Sequence, residues 1–167
     1  MVKNNIKEKK RNNVDKAVES VVKGLPIDIS SLSLDFREFE MFVARVFSSV
    51  GYDVYTNFIL KKPRREIDLL AVIEDFAVAI DCKHWLRSKS GLTKVARLQK
   101  ERAIQLITTN EIPTVRKAVP AVVTQQDYQL GVCYGVPIVP ISKIFNFAFQ
   151  VRGHSELYIT AQSQVGN

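Results

Sequence analysis

Residues 66–83 read EIDLLAVIEDFAVAIDCK, in which two apolar runs flank a polar pair at positions 74–75. This pattern predicts two β-strands joined by a tight turn. Because side chains alternate between the two faces of a strand, Asp68, Asp81 and Lys83 are predicted to emerge on one face. Pairing around the turn sets Ile73 opposite Phe76, Val72 opposite Ala77, Leu70 opposite Ala79, Asp68 opposite Asp81 and Glu66 opposite Lys83.

Two carboxylates that lie directly opposite each other on paired strands repel one another and destabilise the sheet. A cation between them removes that cost. A divalent metal ion is the natural candidate, with Lys83 beside it. The alternative is that Asp68 and Asp81 only mark the solvated ends of two strands. We favour the metal site because a long apolar run leads up to each aspartate, and core faces rarely carry charge.

The chain has 167 residues, of which 46% are hydrophobic and 25% charged, as expected for a single globular domain. Its net charge of +7 favours a polyanionic partner. Basic residues flank the carboxylate pair on both sides in sequence, although such runs also occur on ordinary solubilising surfaces. The predicted polyanion contacts are Lys61, Lys62, Arg64 and Arg65 before the pair and His84, Arg87, Lys89 and Lys94 after it, and the basic run continues through Arg97, Lys100 and Arg102.

Cysteine use and hydropathy indicate the compartment. The two cysteines, Cys82 and Cys133, lack zinc-type spacing, which favours reduced thiols and a cytoplasmic location. Cys82 is predicted to point away from Asp81, into the core. The charged N-terminus does not resemble a signal peptide. Since no run approaches the roughly 20 apolar residues of a membrane helix, no membrane contact is expected.

The N-terminal residues 1–26 form a basic segment with a predicted helix from about 7 to 23, ended by Gly24 and Pro26. We separate this segment from a main domain at 27–167. The helix could pack on the domain, mediate dimerisation or lie on nucleic acid, and the sequence does not choose between these roles.

The main domain is predicted to be α/β, with a central mixed sheet flanked by helices. Capping residues and Gly51 bound its first long helix, and prolines in the run at 135–140 favour an edge position. The predicted elements are a helix at 36–50, a strand at 52–60, the hairpin, a loop at 88–91, a helix at 92–109, a strand at 120–124, a helix at 125–133, an extended run at 135–140 and a helix at 141–151.

Two polar residues interrupt the apolar stripes of the long helices. Glu40 lies between Phe36 and Val43 on the first helix, where a carboxylate is costly unless it is paired or coordinated. It could be a third acid of the Asp68/Asp81 pair, or it could lie at the stripe margin and reach solvent. Gln99 lies near the centre of the second stripe. It could bond the sheet backbone, or it could orient Lys83, a metal-bound water or a phosphate.

Clustered carboxylates, one lysine and basic surroundings are the groups that metal-assisted hydrolysis of a phosphodiester requires. Asp68 followed by Asp81-Cys82-Lys83 resembles the signature of the PD-(D/E)XK nucleases, and Glu40 matches the acid on their preceding helix. The chain looks most similar to Mrr-type restriction endonucleases and archaeal Holliday junction resolvases. The resemblance covers residues 35–151 and implies a restriction-endonuclease-like αβββαβ core.

The resemblance also implies roles for these residues. Asp68 and Asp81 would bind Mg²⁺ or Mn²⁺ together with the backbone carbonyl of Cys82. Glu40 would bind the ion directly or through water, and Lys83 would be catalytic. Gln99 corresponds loosely to a helix glutamine of some members and is included among the catalytic candidates. The chain departs from the pattern at two positions. Ile67 replaces the proline of the motif, and Asp81 replaces the glutamate more usual in this subgroup.

We therefore expect a metal-dependent DNA endonuclease that acts in DNA repair, recombination or restriction. The alternative is a non-catalytic DNA-binding module on a nuclease scaffold, but a pure phosphate binder gains nothing from clustered negative charge. A homodimer is also expected, because the last segment carries more apolar side chains than the edge of a small domain readily covers. These side chains are Ile138, Ile141, Ile144, Phe145, Phe147, Phe149 and Val151, which could instead complete the core.

Overall fold

The structure, a computed structural model, describes residues 2–84, 89–158 and 160–162, and the side chains of residues 12–84, 91–158 and 160–162. The helices are α1 (Val2–Val22), α2 (Ile27–Ser31), α3 (Phe36–Ser49), α4 (Lys89–Thr108) and α5 (Ile144–Gln150). The strands are β1 (Asp53–Leu60), β2 (Arg65–Ile73), β3 (Phe76–Lys83), β4 (Lys117–Thr124), β5 (Val132–Cys133), β6 (Val136–Pro140) and β7 (Ala161–Gln162). Short 3-10 turns span Ile141–Lys143 and Ser155–Leu157.

The strands form one mixed sheet in the order β1-β2-β3-β4-β6-β5, with β7 paired to β4. Strands β1, β2 and β3 form an antiparallel meander, whereas β4 is parallel to both β3 and β6. Because parallel neighbours need a crossover, α4 connects β3 to β4. The order α3-β1-β2-β3-α4-β4 confirms the predicted αβββαβ core and the α/β class.

Helices cover both faces of the sheet. On one face, α1, α3 and α5 pack on the side chains of Leu69, Ala71, Val78 and Ile80. On the other face, α4 packs on Leu70, Val72, Ala77 and Ala79 through its predicted stripe residues Ala103, Leu106 and Ile107. A site at the sheet can therefore receive side chains from α3 on one face and from α4 on the other.

Helix α3 begins at a capping box. The amide of Glu38 donates to Asp35 Oδ1 at 2.9 Å, and the amide of Asp35 donates to the Glu38 carboxylate at 2.7 Å. Caps of this kind contribute about 1 kcal/mol. Gly51 follows the helix with a φ of 97°, which confirms the predicted left-handed cap. These two signals fix both ends of α3, and hence the position of Glu40 along the sheet.

Helix α1 packs on α3. Val14 and Ala17 are buried in the core that α3 shares with the sheet. Asn13 Nδ2 donates to Glu38 Oε1 at 2.9 Å, and Arg45 pairs with Asp15 at 2.6 Å. Of the three roles left open for this helix, packing on the domain is the one that the described residues display.

Some predicted elements differ from the structure. The predicted helix at 125–133 is wrong, since this segment is a turn region that leads into β5. Gln129 and Gly131 have φ values of 56° and 59°, and Asp127 accepts the Gln129 amide, as in turns rather than helices. Residues 89–91 of the predicted loop at 88–91 belong to α4, which begins at Lys89, and residue 88 lies outside the described residues. Strand β6 is not at the edge, because β5 flanks it.

The last segment mainly completes the core. Ile138, Ile141, Ile144, Phe147 and Val151 are all buried, whereas Phe145 is 53% exposed and Phe149 is 75% exposed. Five of the seven apolar side chains on which the homodimer prediction rested therefore complete the core of the domain, which was the alternative explanation. Separately, none of the helices in the described residues combines the length and the apolar character that crossing a bilayer requires.

Candidate active site

The hairpin pairs in the predicted register. Ile73 lies opposite Phe76, Val72 opposite Ala77 and Leu70 opposite Ala79. The ladder ends at the pair Leu69–Ile80. Asp68 and Asp81 thus come just beyond the last ladder pair, where the strands part. The predicted direct pairing of Asp68 with Asp81 and of Glu66 with Lys83 does not continue the ladder.

Strand β2 also loses its other neighbour at Asp68. The β1–β2 ladder pairs Thr56 with Leu69 and Phe58 with Ile67, and it omits the position between them, where Asn57 lies opposite Asp68. Asn57 has a φ of 51°, in the left-handed region that few residues adopt inside a strand. Backbone irregularities of this kind re-aim side chains beside functional sites. At Asp68, β2 is therefore without ladder pairing to β1 on one side and to β3 on the other.

Side-chain alternation fails at the same point. Ile67 and Leu70 belong to the same buried cluster on the α4 face. In a regular strand, residues three positions apart point to opposite faces. Strict alternation therefore does not hold at Asp68, and strand periodicity alone does not place its side chain. The Asp68 carboxyl is nevertheless close enough to Asp81 and Lys83 for their charges to act on its pKa. Sequence periodicity cannot detect such a shift, because it assumes an unbroken strand.

The Asp68 carboxylate lies between β2 and β3. Its Oδ2 accepts the backbone amide of Cys82 at 2.9 Å, and so takes the place of a backbone acceptor where the ladder has ended. On the α3 side Asp68 lines a cleft of about 760 Å³ together with Glu40 and Asn57. Because β2 is irregular at this point, the Asp68 carboxylate contacts β3 and also lines the cleft beside α3.

Asp81 is the most enclosed carboxylate of the site, with 3% of its surface exposed. Its Oδ2 lies 2.7 Å from Lys83 Nζ in an ion pair that does not have hydrogen-bond angles. Its Oδ1 accepts from Arg102 Nη1 at 3.1 Å. Lys83 Nζ also donates to the carbonyl of Cys82 at 3.3 Å. Two cations therefore hold Asp81, and Lys83 lies between the candidate metal ligands.

The remaining carboxylates repel one another. Burial raises the pKa of Asp68 to about 6, and the charge of Asp81 adds to the effect. Burial likewise raises the pKa of Glu40 to about 7, with the charge of Asp68 as the next cause. Both groups are close enough to sense the other acids, as the sequence predicted. Glu40 can therefore gain or lose a proton near neutral pH.

Gln99 is completely buried, as its place in the stripe predicted. Its Oε1 accepts from Arg102 Nη1 at 3.0 Å, and its Nε2 has no hydrogen bond in the described part of the chain. Sequence reasoning missed Arg102, which it treated as part of the basic surface. The available signal was spacing, because Arg102 lies three residues after Gln99, on the same side of the helix.

The predicted polyanion contacts are scattered. Lys61, Lys62 and Arg64 are exposed on the turn between β1 and β2, Lys94 is exposed on α4, and Arg65 pairs with Glu101 at 3.0 Å. His84 is only 4% exposed and its ring lies 5.2 Å from that of Phe39, so the predicted surface contact is replaced by a core position. Arg87 and the side chain of Lys89 lie outside the described residues.

The donor set suits a hard cation. Two aspartate carboxylates and a backbone carbonyl meet at the break in the sheet, and oxygen donors of this kind bind Mg²⁺ or Mn²⁺. In residues 2–84, 89–158 and 160–162, no three acidic, histidine or cysteine side chains lie close enough to form a complete metal cluster. Mg²⁺ needs only one or two carboxylates, since it retains waters and binds substrate phosphate. The residues present therefore fit such an ion.

Comparison with known proteins agrees with this reading. The family model of the Mrr-type catalytic domain, described as a restriction endonuclease, matches residues 31–112, from the end of α2 through β1 to β3 and α4. The predicted resemblance to Mrr-type PD-(D/E)XK nucleases is thereby confirmed over this region. The matched region is similar to a restriction endonuclease domain, which supports a DNA nuclease.

Two individual proteins are also similar. The small subunit (R.BspD6I2) of the heterodimeric restriction endonuclease R.BspD6I aligns with a TM-score of 0.43 and 17% identity, over 89% of this chain and 82% of that one. GTP cyclohydrolase 1 of Aliivibrio salmonicida (strain LFI1238) is 24% identical over 109 residues, which are 64% of this chain. The chain spans 50% of the length of that curated relative.

Proposed function

We propose that this protein is a DNA endonuclease that hydrolyses phosphodiester bonds with Mg²⁺ or Mn²⁺, in DNA repair, recombination or restriction. The observation that carries the proposal is the position of Asp68 and Asp81 at the point where β2 and β3 part, with Lys83 paired to Asp81. We assign residues 27–167 to the catalytic domain and residues 1–26 to an accessory segment. The expected location is the cytoplasm.

Asp68, Asp81 and the Cys82 carbonyl would hold the ion, with Glu40 binding directly or through water. When bound, the ion polarises the phosphoryl oxygen and makes water a better nucleophile. Lys83 is then released from Asp81 to donate to the phosphate oxygens, whose negative charge grows in the transition state. Where Glu40 binds the ion through water, its carboxylate can accept the proton of that water.

The proposed partner is DNA, consistent with the net charge of +7. Lys61, Lys62, Arg64 and Lys94 have exposed side chains that can contact phosphates. The competing proposal is a DNA-binding module without catalysis, and the two ion pairs that already neutralise Asp81 favour it.

Cleavage of branched, linear and single-stranded DNA, each with Mg²⁺, Mn²⁺ or EDTA, separates the two proposals. An endonuclease cuts at least one of these substrates with a metal and none with EDTA. A binding module shifts the mobility of the DNA and leaves every strand intact.

We expect Asn57→Val to lower the cleavage rate at least tenfold and to destabilise the fold by about 1–3 kcal/mol, because a β-branched residue is strained at positive φ. Relief of that strain straightens β1 and moves Asp68 out of place. Asn57→Gly, which accepts the same φ, should retain cleavage. The neighbouring Thr56→Val, outside the left-handed region, is the matched control. An active Asn57→Val variant would show that the break does not position Asp68.

We propose a homodimer formed through the apolar side chains that the last segment leaves exposed. Phe145 is 53% and Phe149 is 75% exposed, and Val22 at the end of α1 is 81% exposed. Phe145 borders an apolar groove between α1 and α3, into which a second copy could pack.

Sedimentation at micromolar concentration without DNA should give a species of twice the chain mass of 18.9 kDa. Phe149→Glu should convert it to monomer, whereas Tyr134→Glu, at an exposed aromatic on the β5–β6 turn, should not. A wild-type species of 18.9 kDa contradicts the homodimer.

A further inference from the structure

Arg102 contacts the candidate site from the α4 side and has no role in the proposed mechanism. A single nitrogen, Nη1, donates to Asp81 Oδ1 at 3.1 Å and to Gln99 Oε1 at 3.0 Å. Asp81 is 3% exposed and Gln99 is completely buried, so neither acceptor can turn towards solvent. The guanidinium is charged at every physiological pH and is held at a fixed position by both partners.

Each aspartate of the site has one oxygen committed to a protein donor. Asp68 Oδ2 accepts the Cys82 amide, and Asp81 Oδ1 accepts Arg102. The oxygens left for a cation are Asp68 Oδ1 and Asp81 Oδ2. The ammonium of Lys83, 2.7 Å from Asp81 Oδ2, demonstrates that a positive group fits there. Lys83 differs from Arg102 because, among the described residues, its Nζ contacts only Asp81 and the Cys82 carbonyl and no buried side chain comparable to Gln99.

Sites with two metal ions place the ions about 3.5–4 Å apart and share ligands between them. A carboxylate that bridges such ions needs both of its oxygens. On Asp81, a second dication would have to lie beside the guanidinium on Oδ1, where like charges repel. The arrangement therefore leaves room for one ion between the two aspartates.

We propose that Arg102, positioned by Gln99, occupies the place of a second metal ion at Asp81, so that the site binds a single divalent cation. Arg102 is a positioning residue in this account, because it acts on Asp81 and not on the reacting phosphate. The inference rests on the proposed function, since it specifies the number of cations that the hydrolytic site uses.

Counting bound Mn²⁺ by electron paramagnetic resonance, with the full chain and no DNA, tests the inference independently of activity. The wild-type protein should bind one Mn²⁺ per chain. Arg102→Met, which keeps the length of the side chain but not its charge, should bind two. Arg102→Lys should remain at one. The control is Arg97→Met, which removes an exposed arginine of the same helix that lies over the Tyr134 ring, and it should also remain at one.

A second variant keeps the test valid if Arg102→Met does not fold, as judged by circular dichroism. Gln99→Leu removes the anchor of Arg102 and should admit a second, weaker Mn²⁺. Two ions on the wild-type chain, or one ion on both variants, would overturn the inference while leaving the nuclease proposal intact. A wild-type chain that binds no Mn²⁺ would overturn the proposed function as well, so the two failures are distinguishable.

Discussion

Lys83→Ala should lower the rate of DNA cleavage by about 100- to 1000-fold, the usual effect of removing one group that stabilises transition-state charge. Lys83 Nζ lies 2.7 Å from Asp81 Oδ2 and 3.3 Å from the Cys82 carbonyl, beside two of the candidate metal ligands. DNA affinity should change little, because one point charge is a small part of a basic surface. Cleavage kinetics and a binding titration in EDTA measure the two effects separately.

Lys143→Ala is the matched control for this prediction. Lys143 also pairs with an aspartate, Asp127, at 3.1 Å, but it lies on the turn before α5. The Lys143→Ala variant should cleave DNA at a rate within about twofold of the wild type, because an exposed ion pair contributes little energy. A Lys83→Ala variant that cleaves as fast as the control would remove the assignment of Lys83 as catalytic.

Asp68→Asn should abolish metal-dependent cleavage and, at the same time, stabilise the metal-free protein at pH 8. The raised pKa of Asp68, about 6, means that its ionised form is unfavourable in the fold, through burial first and then the charge of Asp81. The amide oxygen of asparagine can still accept the Cys82 amide. We expect a net gain of about 1 kcal/mol, or a Tm higher by about 2–4 °C for a domain of this size.

The pH dependence follows from the direction of this shift. Because the folded pKa lies above the unfolded one, the carboxyl group costs little stability at pH 4, where it is protonated in the fold and only partly ionised in the unfolded chain. The cost appears as the pH rises through the unfolded value towards about 6. The Tm difference between Asp68→Asn and the wild type should therefore be present at pH 8 and small at pH 4.

Mg²⁺ or Mn²⁺ should raise the Tm of the wild type at pH 8 by binding the folded state. The same ions should leave the Tm of Asp68→Asn nearly unchanged, whereas the control Asp127→Asn should keep the full shift. An Asp68→Asn variant with the wild-type metal response would indicate that the ion binds elsewhere.

The sequence predicted the core of the fold because its strongest signals are local. The hairpin register depends on a polar turn between apolar runs, and α3 begins and ends at residues whose caps are recognisable. The segment at 125–133 was mistaken for a helix because positive φ values at Gln129 and Gly131, rather than periodicity, decide its conformation. The prediction from hydrophobic periodicity gave too little weight to the turn-forming residues of this segment.

The sequence singles out the acidic residues of the proposed site, but not their arrangement in the fold. Glu40 and Gln99 were identifiable because each interrupts an apolar stripe. The break at Asp68 was not, since it depends on the backbone of Asn57 in the neighbouring strand. The role of Arg102 depends on the burial of Asp81 and Gln99 in the packed structure, and a basic run in a sequence does not distinguish an exposed arginine from one held in this way.

The most direct test of the nuclease proposal compares the wild type with Asp81→Asn, purified identically, on end-labelled DNA across a Mg²⁺ titration. The proposal predicts that wild-type cleavage rises with Mg²⁺ and stops in EDTA, and that Asp81→Asn binds the same DNA without cutting it. Equal cleavage by the two proteins would contradict the assignment of the site. Intact DNA at every Mg²⁺ and Mn²⁺ concentration, despite binding, would contradict the nuclease function itself.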